Sequence, residues 1–455
     1  MENPSVKFGG RRQAFRLARR MVLLGSSMFM LAAQDRTPPA YLYTLAPRYE
    51  PDAWTRGEER FPAGAAVYLS SGRERRRIAP DLVVSADAFV SYDGTRVLLA
   101  GKRATNEPWQ IWETSVDGGG LRRITKGGTD CTRPLYLPDG RVVYTRRTAD
   151  GSVLEAAHSD GGTIERLTFV PGAYLADDVL KDGRILFEVA RHESAATKRE
   201  LFTVYPDGTG VESLRCDHGP DQAEGRQLTS GDVIFRADGQ LARIQSAFAL
   251  QAMVRLPIAG AVGPVAEVGP NSWIFAARDS VARRFSLYRW QESRRRLVSI
   301  ERAAGANTVQ PVIVAARTPP RDFPSALQKS RRTANALCLR VSQSMDPYDG
   351  VAQSVRVYSQ GQEGSPVVLG QAEVHKDGSF FVQLPGDRPL RFELLDAAGR
   401  TLRAERNWIW LRTGEQRICT GCHAGPERAP ENRLPDALRL GAEPVVLRGT
   451  AAVRP

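Results

Sequence analysis

Near the C-terminal end the chain reads Cys419-Thr420-Gly421-Cys422-His423. Two thiols separated by two residues can reach the two vinyl groups of one porphyrin and form thioethers. The histidine that follows then offers a ring nitrogen to the iron. A zinc site would need one or two further Cys or His ligands close by. None follows His423, and the nearest upstream histidine is His375. A thioredoxin-like redox pair would sit in a βαβ setting, which the flanking sequence lacks. The spacing therefore predicts one covalently attached haem c, held by Cys419 and Cys422 with His423 as proximal iron ligand. Zinc and a redox dithiol are the alternatives.

An iron held this way needs a sixth ligand or an open position. The chain has five histidines, His158, His192, His218, His375 and His423. His375 is the candidate distal ligand, against the alternative of a surface histidine entering the Lys376-Asp377-Gly378 turn. Met345 is a weaker candidate, and an iron without either would be five-coordinate. Upstream of the motif lie Trp408, Trp410 and Arg417, with Arg406 and Arg412 beside them. Aromatic rings can wall a porphyrin and Arg can pair with its propionates; the same residues also suit an aromatic core strand with a solvated basic face.

What must position this motif is β-structure. An Asp-Gly turn followed by an apolar strand appears at Asp93-Gly94, Asp139-Gly140 and Asp182-Gly183, with weaker copies at Ser230-Gly231 and Gly269-Pro270. The glycines at 94, 140, 183 and 231 are 46, 43 and 48 residues apart. A second strand follows each copy (Gln110–Trp112, Val153–Glu155, Leu201–Thr203, Leu241–Arg243, Ser286–Tyr288), and a third closes several units, as in Leu121-Arg122-Arg123-Ile124-Thr125. Asp-Gly between alternating strands marks tight turns. Four short strands on a period near 45 residues describe a propeller blade, which cannot bury both faces alone and must stack around an axis. Five units are clear, and a segment near Ala65–Tyr68 suggests a sixth. The repeat resembles the TolB-type propeller; a β-sandwich or a plain run of hairpins is the alternative.

The repeat ends near Arg302, and Pro311, Pro319, Pro320 and Pro324 mark a boundary. Beyond it strands are expected at Leu337–Val341, Ser354–Tyr358, Val367–Val374, Ser379–Leu384 and Arg391–Leu395. The expected order is a TolB-like propeller of about six blades over 35–315, a linker over 316–335, a small β-rich haem domain over 336–440 and a loose tail over 441–455. The fold class is all-β.

The net charge is +12, with six basic residues against Glu2 alone in residues 1–34. Arg11 to Arg20 precede an apolar run from Met21 to Ala33, the pattern of an export signal or of an uncleaved anchor. The run is short for a membrane span, and no later segment is apolar enough to cross a bilayer. An exported, periplasmic protein is expected, not an integral membrane one. The remaining positive charge suits an acidic redox partner or a generally Arg-rich surface; no basic helix or aromatic platform argues for nucleic acid. Export also permits a Cys131–Cys216 disulfide, with buried free thiols at 131, 216 and 338 as the alternative.

A resemblance adds to this. The residues Gly378-Ser379-Phe380, Leu384-Pro385-Gly386-Asp387-Arg388-Pro389-Leu390, Leu395-Asp396 and Gly399, then Trp408-Ile409-Trp410, Cys419-x-x-Cys422-His423 and the run Pro426–Arg433 resemble the hydrazine synthase alpha subunit family. The resemblance spans roughly residues 65–440. It implies a middle propeller followed by a haem domain carrying Cys419, Cys422 and His423, with bis-His ligation that His375 would complete. The family's separate N-terminal catalytic haem domain has no counterpart between the signal and the first blade, so hydrazine synthesis is not expected. The leading expectation is an exported mono-haem cytochrome for electron transfer, with the propeller docking a redox partner protein. The alternatives are a haem enzyme acting on a small nitrogen or oxygen species and a binding scaffold with a structural haem. The propeller shows no catalytic triad or carboxylate pair, and its Asp residues are expected in turns.

Overall fold

The computed structural model describes residues 39–449, apart from 63, 161, 194–195, 216–219, 246–252, 279–282, 345–347, 362–363, 422–431 and 442. It contains eight four-stranded sheets. Six are propeller blades and two face each other in a sandwich.

Each blade follows from the repeat. The Asp of the turn accepts a backbone N–H two residues on: Asp93 from Thr95, Asp139 from Arg141, Asp182 from Arg184 and Asp207 from Thr209. The glycine takes the left-handed conformation, with φ +77° at Gly94 and +89° at Gly183, which an L side chain resists. Alternate residues then pack between blades, and Trp273, Tyr144, Phe187 and Phe235 are among the largest fully buried side chains. Blade 1 is shared between the two ends of the repeat: Asn307–Ile313 forms its innermost strand, followed outward by Tyr41–Ala46, Ala66–Ser71 and Glu74–Arg77; along the chain, blade 3 spans 131–166 and blade 4 spans 173–213. That closure corrects two readings. The repeat does not end near Arg302, and Pro311 lies inside a strand rather than in a linker. Proline is tolerated there because the strand bulges at that point.

The bulge recurs. All six innermost strands lose register at the same place: at Asp87, Arg133, Asp177, Glu224, Gly263 and Gln310 in turn around the ring. Asp87, Arg133, Glu224 and Gln310 have φ between +51° and +60°, a costly backbone for a side-chain-bearing residue. A bulge re-aims its side chain, and here the side chains meet across the axis. Gln310 Nε2 donates to Asp87 at 2.5 Å, and Arg133 reaches Asp177 at 3.4 Å and Glu224 at 3.9 Å.

One mouth of this axis is covered by the excursion between the first two strands of blade 1. Asp52 pairs with Arg199 and Arg236, Arg60 pairs with Asp87, and Trp54 Nε1 donates to Ser152 Oγ and to the Tyr174 carbonyl at 3.2 Å each. Past the propeller, the chain returns along its turns. Arg317 N donates to the Tyr92 carbonyl and Arg321 N to the Lys181 carbonyl. A Cβ on Gly183 would stand 2.3 Å from the Arg321 oxygen, so this turn glycine also serves as a landing point for the linker.

The sandwich pairs Thr333–Cys338 with Phe380–Pro385 in one sheet, and Ser354–Gln360 with Pro366–Glu373 and Leu390–Leu395 in the other. Its core holds Val355, Val357, Val382, Leu384 and Leu390. Gln416–Cys419 joins the first sheet in parallel with Thr333–Cys338. The tail reading is corrected in part: Val445–Val446 pairs in parallel with Phe380–Pro385 and Leu447 is buried in the sandwich core, because its apolar triplet covers an open sheet edge. Among the described residues no helix is long and apolar enough to cross a membrane. Residues 1–34, and with them the expected export signal, lie outside the described residues.

Candidate haem-attachment site

Cys419 ends the strand Gln416–Cys419. Alternation along that strand turns Gln416 and Ile418 outward, Ile418 being 65% exposed, while Arg417 and Cys419 face inward. Cys419 is register partner to Cys338 and packs against the sandwich core. Burial pushes its thiol up, against the opposing pull of the Arg417 guanidinium beside it. Cys131 is buried in blade 3 as a free thiol, with its Sγ 3.8 Å from the Thr129 carbonyl. That is the free-thiol alternative for Cys131. Cys216 itself lies outside the described residues.

The chain then turns sharply. A Cβ on Gly421 would stand 2.1 Å from the Gln343 carbonyl and 2.8 Å from the Arg340 carbonyl; only glycine lets the backbone lie so close. Cys422, His423 and Met345 lie outside the described residues. The chain comes back at a definite place. Arg433 donates to the Asp377 carbonyl at 3.2 Å, Asp436 N to the Asp377 carboxylate at 2.8 Å and Ala437 N to Ser379 Oγ at 3.0 Å. His375 opens that same turn, its N–H donating to the Ser379 carbonyl at 2.9 Å, and its side chain is partly exposed. The turn also rests on the Arg340–Val341 backbone, since Val341 N donates to the Gly378 carbonyl. Both ends of the motif loop thus meet the neighbourhood of His375. Of the other histidines, His158 is exposed in blade 3 and His218 lies outside the described residues.

Of the upstream aromatic pair, Trp410 takes the core place that stood as the alternative to walling a porphyrin. Trp410 is 2% exposed, donates Nε1 to the Gly208 carbonyl at 2.9 Å and packs on Phe169. It is committed to the seam between sandwich and propeller. Trp408 is half-buried with the Arg391 guanidinium 4.9 Å from its ring centre. Arg412 reaches Glu165 at 3.2 Å and Asp387 at 2.8 Å, and Arg406 is exposed. Arg417 is the one that adjoins the motif. Its Nη2 donates to the Val211 carbonyl at 2.8 Å and stands 3.5 Å from Glu212, while Nη1 is buried without a hydrogen bond. Glu415, buried beside it, accepts the backbone N–H of Gly210 and of Arg412, and burial raises its carboxyl despite Arg417. The strand that presents Cys419 is thus fixed to blade 4 by its own preceding residues.

Sequence reasoning passed over the axial cluster. Glu188 also belongs to it, accepting the Glu224 N–H at 2.9 Å. Burial pushes the Asp177 carboxyl well up, reinforced by the Glu188 carboxylate, and burial likewise raises Glu188. Burial acts the same way on Asp87, but Arg60 and Arg133 overcome it and hold that carboxyl low. The available signal was Pro134, Pro264 and Pro311 at one phase of three otherwise strand-like segments.

Comparison with known proteins places this chain. The family described as the hydrazine synthase alpha subunit middle domain matches residues 342–424. Those residues hold most of the sandwich and the whole of Cys419–His423, and none of the propeller. Hydrazine synthase subunit alpha of Kuenenia stuttgartiensis is 27% identical over 120 residues, covering 24% of this chain and 15% of its own length. In the solved Kuenenia stuttgartiensis hydrazine synthase, one chain superposes with a TM-score of 0.76 at 17% identity, covering 89% of this chain and 72% of that one. TolB from Acinetobacter baumannii aligns over 66% of this chain and 73% of its own at a TM-score of 0.48 and 14% identity. The alignment with the curated subunit thus spans about one-seventh of that subunit's length, while the fold is shared over nearly all of this chain. The chain is thus similar to the hydrazine synthase alpha subunit, in sequence across the motif-bearing sandwich and in fold over the propeller and sandwich together.

Proposed function

We propose that the sandwich carries one haem c on Cys419 and Cys422 with His423 as proximal ligand, and that this haem acts on a small nitrogen or oxygen species. The family match that runs through the motif carries the reading, since the relative's name denotes chemistry on a compound of two nitrogens. A bound haem would supply a redox-active iron able to bind such a molecule. The described residues fit the group. Cys419 stands at a strand end, Gly421 lets the chain turn beneath it, and Arg417 Nη1, 3.6 Å from the Glu415 carboxylate and without a hydrogen bond, is a donor suited to a propionate. Blade 4 holds the Cys419 strand from behind, and a redox partner protein would dock on the propeller. Attachment of such a haem outside the cytoplasm would agree with the basic and apolar pattern of residues 1–34.

A second reading, electron transfer through a six-coordinate iron, is favoured by one observation: the far end of the motif loop is held to the turn that His375 opens, and the near end packs on the Arg340–Gln343 backbone against which that turn rests. The absorption spectrum separates the two. A high-spin ferric spectrum that shifts on adding nitric oxide or hydroxylamine supports the enzyme. A low-spin spectrum converted to high-spin by His375→Ala supports the electron carrier. A low-spin spectrum unchanged in His375→Ala rejects His375 as the ligand.

A further inference from the structure

Close to the covered mouth of the propeller axis, and outside the motif region, lies a partly open pocket with about 240 Å³ of empty space, walled by Trp54, Glu59, Arg60, Phe61, Trp109 and Thr132 and floored by Asp87. The polar groups around it are unevenly used. Asp87 accepts from Arg60 Nη2, from the Arg133 N–H and from Gln310 Nε2. Glu59 is taken by Lys102 at 2.5 Å. Asp130, behind Trp109, accepts the Trp109 N–H and faces Arg147 at 3.5 Å. The donors are not so engaged. The Arg60 side chain is 2% exposed, yet its Nε and Nη1 have no hydrogen bond, and neither has the Thr132 hydroxyl.

An arginine left so deeply buried with three idle N–H groups is costly unless something accepts from it. A water molecule would have to place its own two protons as well. An anion only accepts. Arg60 lies 5.6 Å from the Phe61 ring centre and Lys102 5.4 Å from that of Trp109, so positive charge lines the same walls. We propose that this pocket is a binding site for a small monovalent inorganic anion of halide size, held by Arg60 Nε and Nη1 and by the Thr132 hydroxyl against the rings of Trp54 and Trp109.

Iodide is a direct probe, because it quenches tryptophan on contact. The full chain is titrated with sodium iodide at constant ionic strength set by sodium gluconate. A saturable quenching phase is expected above the linear collisional one. Thr132→Val deletes one donor to the anion and keeps every ion pair; it should raise the half-saturating iodide concentration about tenfold or more. Arg60→Lys keeps a charge opposite Asp87 without the guanidinium donors and should abolish the phase. Crystals soaked in sodium bromide should show an anomalous peak between Arg60 and Thr132. Strictly linear quenching, a saturable phase unmoved in Thr132→Val, or bromide only at exposed basic side chains, which is an adventitious ion only, would each overturn the proposal.

Discussion

At the scale of single residues the chain places strong demands on two kinds of position. Gly421 is one, since any side chain there collides with the Gln343 carbonyl. Gly421→Ala should cost about 1–3 kcal/mol through backbone displacement and lower haem incorporation in the matured protein. Unchanged stability and unchanged haem content would show that the turn beneath the motif is looser than described. The buried Asp177–Glu188 pair is the other. A carboxyl whose folded-state pKa is raised stabilises fully below its unfolded value, near 4, and loses that contribution as pH rises through the folded value. Melting temperature should therefore fall as pH rises above about 4 until the pair has ionised. Asp177→Asn should flatten that slope, and thermal melts from about pH 5 to 8 would read it. Asp87 has the opposite sign. Its lowered pKa gives stability that is present above the unfolded value and lost as acid protonates it.

At the scale of elements, the seam between sandwich and blade 4 holds the motif strand in place. Trp410 is its largest buried anchor, and Trp410→Ala should cost about 3–5 kcal/mol. Differential scanning calorimetry of this variant should show the sandwich melting ahead of the propeller. A single unshifted transition would mean that the two parts cohere without Trp410. Much at this scale was legible in the sequence. The Asp-Gly turns announce themselves because the Asp carboxylate and the glycine backbone act locally, and four of the five expected sandwich strands fall within one or two residues of their observed starts. What was not legible depends on contacts distant in sequence. Asn307–Ile313 is a blade strand only because Tyr41–Ala46 lies beside it. Trp410 reads equally as a porphyrin wall or as an anchor until Gly208 is seen opposite its indole nitrogen. The axial charges are invisible because they are spread over several repeats and meet across the axis only when the ring closes.

At the scale of the whole molecule, a six-bladed ring closed by its own ends supports a sandwich whose edge strand leads into Cys-x-x-Cys-His. The ring gives rigidity, and the seam transfers it to Cys419 through Arg412, Glu415 and Arg417. On the proposed function, this frame presents a covalently bound haem. The most direct test is to express the full chain with c-type maturation, denature it, and measure haem by stain on a denaturing gel and by the pyridine haemochrome spectrum. One haem per chain, surviving denaturation and lost from the thioether-linked fraction in the Cys419→Ser, Cys422→Ser double variant, is the predicted result. A colourless matured protein whose Cys419 and Cys422 are both still open to alkylation would contradict it.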